Sequence, residues 1–145
     1  MRRQTGAQMQ AALAPLTANL FFDGLLGSEG GERLTAVLVP SNFTPPLSAA
    51  SFARAFNIDT ATDQGFIERD LAPSKIATLL TDFADSMATP EAAQLVALLK
   101  QLPDLRVFVI GKDGAPNVDA NHPLYMVGTA SDGALVGVKS GVIWT

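Results

Sequence analysis

The chain of 145 residues is 48% apolar and carries a formal net charge of −4, from 14 acidic and 10 basic residues. This length fits one domain over residues 1–145, and the acidic balance disfavours direct binding to nucleic acid, which relies on clustered Lys and Arg. The absence of cysteine excludes disulfides, thiolate metal sites and cysteine nucleophiles. No apolar run approaches the ~18 residues of a membrane-spanning helix, so we expect no contact with a membrane.

The N-terminal segment predicts an amphipathic helix over residues 5–22. Apolar residues recur there at helical spacing, at Met9, Leu13, Leu16 and Leu20. Pro15 is expected to kink or shorten this helix. A basic start followed by apolar residues is also typical of a signal peptide, but Pro15, Thr17 and Asn19 interrupt the apolar region, and Asp23-Gly24 follows instead of a small-residue cleavage site. We therefore expect a cytoplasmic protein.

The next segments predict short elements separated by turns. We expect a glycine-rich turn over residues 23–32 and a strand over residues 34–40 that Pro40 stops. Residues 48–56 predict a short helix with Ser48 as its N-cap. Residues 57–73 carry mixed signals, and we expect them to be mostly loop.

Two well-marked helices follow. Ser74 is placed to cap the first one, whose apolar face consists of Ile76, Leu79, Leu80, Phe83 and Met87. Thr89-Pro90 begins the second helix, because proline is favoured at the first helical position. Pro103 ends it.

The last part of the chain predicts strands. Residues 105–111 are an apolar strand, residues 112–123 a long polar connection, and residues 124–127 and 135–138 a hairpin closed by Ser131-Asp132-Gly133. Helices and strands do not alternate regularly, which disfavours a doubly wound parallel sheet. The sequence therefore predicts an α+β fold, with a mostly antiparallel sheet covered by helices.

No catalytic constellation is visible in the sequence. His122 is the single histidine, and in the polar connection we expect it to be a surface residue rather than a general base. Asp113, Asp119 and His122 match no calcium or zinc spacing. Lys139-Ser140 lacks both the preceding glycine and the following helix of a phosphate-binding loop. We therefore expect no resident metal, no cofactor and no enzymatic activity.

Two features are compatible with protein binding. An acidic stretch over residues 59–70 is ordinarily a solvated face, and alternatively a contact for a basic partner; its acidic residues are Asp59, Asp63, Glu68 and Asp70. Phe66 inside this stretch either pins a loop to the core or anchors a partner. Strand alternation predicts that Trp144, the only tryptophan, shares a face with Val142, where we expect it either to pack against a helix or to contact a partner.

Both ends of the chain resemble the nuclease A inhibitor family. Residues 124–145, "LYMVGTASDGALVGVKSGVIWT", are similar to that family's C-terminal strands, turns and final Thr. The matching positions are Tyr125-Met126-Val127-Gly128, Gly133-Ala134-Leu135-Val136-Gly137-Val138 and Thr145. Near the other end, Asp23-Gly24-Leu25-Leu26 followed by Ser28-Glu29 resembles the family's early turn. Residues 51–56 also have a weak counterpart before a variable loop.

The resemblance implies a three-layer α/β/α sandwich that inhibits a metal-dependent, sugar-non-specific DNA/RNA nuclease and blocks its active site with the C-terminal end. In that family the terminal Thr approaches the divalent metal of the nuclease, supported by a Glu of the early turn and an aromatic of the middle loop. By position this implies Thr145, Glu29 and Phe66, and together with Trp144 they are the expected partner-binding residues. A terminal carboxylate beside a Thr hydroxyl supplies oxygen ligands and negative charge, as a phosphate does. We expect the protein alone to be a monomer.

Two alternatives from other classes remain open. One is an enzyme or small-ligand-binding domain that uses the 112–123 connection and His122. The other is a non-inhibitory interaction module of the same fold, which binds through residues 59–70 with Phe66 rather than Thr145 as the essential contact.

Overall fold

The computed structural model describes residues 5–17, 20–23, 31–39, 47–57, 67–70, 73–102, 104–110 and 121–143. The helices in these ranges are α1 (Gly6–Thr17), α2 (Ala49–Ala55), α3 (Pro73–Met87) and α4 (Pro90–Leu99). The strands are β1 (Phe21–Asp23), β2 (Gly31–Arg33), β3 (Thr35–Val39), β4 (Ile67–Asp70), β5 (Arg106–Ile110), β6 (Asn121–Thr129) and β7 (Leu135–Ile143). None of the described helices is long and apolar enough to cross a membrane.

Five of these strands form one antiparallel sheet in the order β3-β7-β6-β5-β4. β6 and β7 pair over their whole length, from Asn121 opposite Ile143 to Thr129 opposite Leu135. β1 and β2 pair separately as an antiparallel hairpin. The predicted α+β fold with an antiparallel sheet is therefore confirmed.

Helices cover both faces of the sheet. Because side chains alternate between the two faces along a strand, neighbouring residues such as Val107 and Phe108 belong to different apolar clusters. The first cluster joins the sheet to three helices, through Met9 and Leu13 of α1, Leu80 and Phe83 of α3, and Leu95 and Leu99 of α4. The second joins the opposite face to α2 through Phe52. The described elements therefore form three layers, α/β/α.

Local capping rules account for two helix starts. The Ser48 hydroxyl accepts a hydrogen bond from the backbone N–H of Ser51 at 3.2 Å, and the Ser51 hydroxyl accepts one from the N–H of Ser48 at 2.8 Å. This reciprocal capping box satisfies two backbone donors at the start of α2. The predicted start of α4 at Thr89-Pro90 is also confirmed, with Thr89 as the N-cap. The predicted cap Ser74 is wrong, because α3 already begins at Pro73, whose fixed φ suits a first helical position.

Other predicted boundaries differ from the structure, among them the turn predicted over residues 23–32, because residues 21–23 and 31–33 are the paired strands β1 and β2. α1 contains Pro15 in its last turn and ends at Thr17, earlier than the predicted residue 22. Residues 57–73 are not all loop, since β4 lies within them; its Glu68-Arg69-Asp70 sequence has little strand propensity, and pairing with β5 decides its conformation. The predicted connection over residues 112–123 is wrong at its end, because residues 121–123 belong to β6 and pair with β7.

Candidate functional site

The strand directions collect several strand ends at one end of the sheet. β7 stops there at Ile143, which pairs with Asn121, the first residue of β6. β5 also ends there, and its last residue Ile110 pairs with Ile67, the first residue of β4. We call this edge, marked by Ile67, Ile110, Asn121 and Ile143, the distal end of the sheet. One terminus of each of the strands β4, β5, β6 and β7 therefore lies on the same side of the domain.

The β1–β2 hairpin lies beside β7. Both of its strands contact β7. β3 occupies the flank of β7 from Leu135 to Lys139, and Thr35 pairs with Lys139. β2 precedes β3 in the chain with only Leu34 between them. The hairpin therefore lies beside β7 and directly precedes the edge strand β3 in the chain.

The four expected partner-binding residues, Glu29, Phe66, Trp144 and Thr145, all lie outside the described residues. Their neighbours in sequence are described. Glu29 precedes the first residue of β2 by two positions, Phe66 directly precedes β4, and Trp144-Thr145 directly follow β7. The strands that carry these positions are distant in sequence; β4 and β7 have their termini at the distal end, and β2 contacts β7. The expected packing of Trp144 against a helix likewise falls outside the described part of the chain.

His122 is buried at the distal end, contrary to its expected place in a surface connection. Its side chain is 2% exposed and lies on the face of β6 that also carries Leu124 and Met126. Its Nδ1 lies 3.2 Å from the carbonyl oxygen of Ile110. A carbonyl only accepts, so this hydrogen bond requires the proton on Nδ1. His122 thus links the end of β5 to the start of β6. This contact lies beyond Val109 and Leu124, the last two residues that pair between these strands.

The period-two alternation of His122, Leu124 and Met126 was the available sequence signal for this burial. Pro123 obscured it, because proline is ordinarily excluded from the middle of a sheet. With its imidazole enclosed and bonded to a backbone carbonyl, His122 has the geometry of a structural residue. Among the described residues, no group of three or more His, Asp or Glu side chains is arranged to hold a metal ion.

Lys139 and Ser140 lie within β7 rather than in a loop. Ser140 is buried on the same face as His122, whereas Lys139 is exposed on the opposite face. The Lys139 Nζ lies 5.5 Å from the centroid of the Tyr125 ring, within range of a cation–π interaction. This extended backbone explains why the pair forms no phosphate-binding loop.

The opposite end of the sheet is closed by structural hydrogen bonds. Asp132, in the β6–β7 turn, accepts hydrogen bonds from the backbone N–H of Gly6 at 3.0 Å and of Ala134 at 3.3 Å. The bond from Gly6, at the start of α1, is the main reason that the pKa of Asp132 lies below its ordinary value. The Asp104 carboxylate accepts two hydrogen bonds from Thr129, one from its backbone N–H at 2.7 Å and one from its hydroxyl at 2.5 Å. These carboxylates are engaged in fixing the fold, which leaves the distal end as the candidate site.

Comparison with known proteins adds no relative to this description. No protein-family model matches the sequence, and no curated protein matches it.

Proposed function

We propose that this chain is a protein inhibitor of a metal-dependent, sugar-non-specific nuclease, and that it binds the nuclease through the distal end of its sheet. The observation that carries the proposal is the convergence of strand termini there. β4 and β7 carry the sequence neighbours of Phe66 and Thr145 and have their termini at this end, and β2, which follows Glu29 in the chain, contacts β7. A single partner surface can therefore meet segments that are far apart in sequence.

The architecture supports the same proposal. The family that the chain ends resemble has a three-layer α/β/α sandwich, and the described elements form such layers. From β7 to β4 the sheet spans three strand spacings, about 14 Å. That separation lies well within one protein–protein interface of ordinary size, which buries about 800 Å² on each partner.

The chemistry of the proposed contacts suits a nuclease active site. Divalent metals such as Mg²⁺ prefer oxygen ligands, which the Thr145 hydroxyl and the Glu29 carboxylate provide. A site that binds anionic phosphate also presents basic groups, and an acidic side chain complements them. The enzyme alternative receives no support from His122, since its side chain is 2% exposed.

A DNA-degradation assay tests the proposal. A panel of metal-dependent, non-specific nucleases is titrated with the protein ending at Thr145, with a form lacking Thr145, and with Glu29→Gln. We expect stoichiometric inhibition by the parent protein. We expect the loss of Thr145 to weaken inhibition by about 30- to 1,000-fold, which corresponds to a hot-spot contribution of about 2–4 kcal/mol.

Asp85→Asn is the matched control for Glu29→Gln. It removes the same charge from an exposed position on α3, a helix that carries none of the expected partner-binding residues. We expect it to inhibit like the parent protein. Absence of inhibition by the parent protein across the panel would refute the proposed function. Inhibition that is insensitive to Thr145 and Glu29 but abolished by Phe66→Ala would place the binding surface on the 59–70 stretch instead.

A further inference from the structure

The two edge strands of the sheet differ in how they resist pairing with another chain. An exposed edge offers unpaired N–H and C=O groups, and proteins protect such edges with charges, short strands and bulges. β4 has these features: it is four residues long, three of them are charged, and its register with β5 shifts between Ile67 and Arg69. β3 has neither charges nor a bulge, since its sequence is Thr-Ala-Val-Leu-Val and its register with β7 is unbroken.

The outer edge of β3 is open among the described residues. The sheet order places β3 at the end of the sheet, paired only with β7 in the described part of the chain. Thr35 is exposed, and the apolar Val37, Leu38 and Val39 are only half-buried. Residues in the inner strands are much more enclosed; Val136 and Val138 of the neighbouring β7 are 0% exposed. β3 therefore keeps apolar surface uncovered beside an open backbone edge.

The helix above this edge is also uncharged. α1 contacts β3 and β7, so it is the helix that covers this side of the sheet. Its twelve residues include no Asp, Glu, Lys or Arg, and its exposed positions are Ala7, Gln8, Ala11, Ala14 and Pro15. α3, on the far side of the same layer, exposes Lys75, Asp82 and Asp85. In a protein with 17% charged residues, neither α1 nor β3 carries a charged residue.

We propose that this side is a self-association surface, in which β3 pairs antiparallel with β3 of a second copy to extend the sheet across a two-fold axis. The proposal is independent of the nuclease-inhibitor function, and it replaces the monomer expected from the sequence. Two copies of a chain with net charge −4 repel each other, so they approach best through elements that carry no charge of their own, as α1 and β3 do. Depletion of charged residues is also the compositional mark of interface centres.

The sequence of β3 is compatible with such a pairing. A two-fold axis at Val37 pairs all five residues, with Val37 opposite its own copy, Ala36 opposite Leu38 and Thr35 opposite Val39. Every cross-strand pair is then apolar or small, and no like charges face each other. The apolar partners also keep their assigned faces, because the pairing preserves the alternation of the sheet.

Single-cysteine variants test the register directly, because the chain contains no cysteine of its own. In the proposed dimer, the two copies of Val37 face each other with Cβ atoms about 4.5–5.5 Å apart, close enough for V37C to be oxidised to a disulfide-linked dimer. The two copies of Val39 lie four residues out of register, about 14 Å apart, beyond the reach of a disulfide. We therefore expect covalent dimer from V37C and not from V39C. T81C, at an exposed position on α3, is a second negative control.

Sedimentation velocity over a range of protein concentrations measures the association itself. We expect a concentration-dependent dimer of the parent protein, and a folded monomer for V37K, in which two lysines would face each other across the axis. Circular dichroism verifies that V37K is folded, and the V37C result stands even where V37K is not. A parent protein that stays monomeric at high concentration, or V37C that gives no more covalent dimer than T81C, would overturn the proposal. A monomer with an unreactive V37C thiol would overturn it too, and would indicate that another segment of this chain covers β3.

Discussion

Phe52 is the side chain on which the position of α2 most depends. It is 0% exposed, its ring stacks on Phe108 with centroids 4.4 Å apart, and it meets the edge of Tyr125 at 5.1 Å. α2 has seven residues, too few for a helix to be stable by itself in water. The helix is therefore held by its contacts with the sheet, among which Phe52 is the central one.

Replacing Phe52 with Ala removes both the buried ring and its aromatic contacts. Phe→Ala in a core typically costs about 3–5 kcal/mol, and each aromatic pair contributes about 0.5–1.5 kcal/mol of that total. We expect a loss of about 3–5 kcal/mol, a large part of the roughly 5–15 kcal/mol that stabilises an ordinary domain. Phe52→Leu retains most of the apolar volume and should cost markedly less.

Urea denaturation measures this loss as a change in the free energy of unfolding at constant m-value. Native-state hydrogen exchange adds a local readout, since the amides of α2 should exchange faster than those of α4 in the variant. A loss below about 1 kcal/mol, with unchanged exchange in α2, would contradict the proposed role of this ring stack. It would mean that other parts of the chain hold α2 in place.

Three further predictions concern backbone geometry and charge. Ala88, which follows α3, has a φ of +52°, a conformation that glycine adopts without strain, so Ala88→Gly should raise the free energy of unfolding by about 0.5–1 kcal/mol. Ala93→Gly, on the exposed side of α4, should lower it by a similar amount, because glycine is unfavourable within a helix. Denaturant titration measures both changes. Gly137 lies so close to the backbone of β6 that an added methyl would overlap a carbonyl, and Gly137→Ala should cost about 3 kcal/mol or more, measured as a lower Tm by calorimetry. The pKa of Asp132 is lowered chiefly by the N–H of Gly6, so the stabilisation it gives is present above its ordinary value of 3.8 and is lost as pH falls through the folded-state pKa. Asp132→Asn should therefore be less stable than the parent at neutral pH, and the difference should vanish in acid; a difference independent of pH would refute this account.

Local patterns predicted those elements whose conformation neighbouring residues decide. Ser48 and Thr89 begin helices because their side chains satisfy nearby backbone donors. The β6–β7 hairpin follows from apolar runs around a turn in which Gly133 adopts a φ of +85°. β4 was not predicted, because its charged residues have low strand propensity. Its extended conformation depends on hydrogen bonding to the backbone of β5.

The candidate site shows the same division. Short motifs near both ends of the chain indicated Glu29 and Thr145, and an aromatic in an acidic stretch indicated Phe66. No local pattern indicated that the strands next to these residues end on the same side of the domain. His122 was wrongly expected at the surface, because its burial depends on the pairing of β6 with β7.

The capped helices, the final hairpin and the α+β class of this protein can be read from its amino-acid order, because they depend on interactions between residues close in the chain. The strand order, the burial of His122 and the gathering of distant strand termini at the distal end emerge only when the whole chain packs. The same packing puts the uncharged β3 at an edge and β7 inside the sheet. These properties depend on which strands pair. Strand pairing depends in turn on burying both faces of the sheet at the same time, which requires contacts between segments that are distant in sequence.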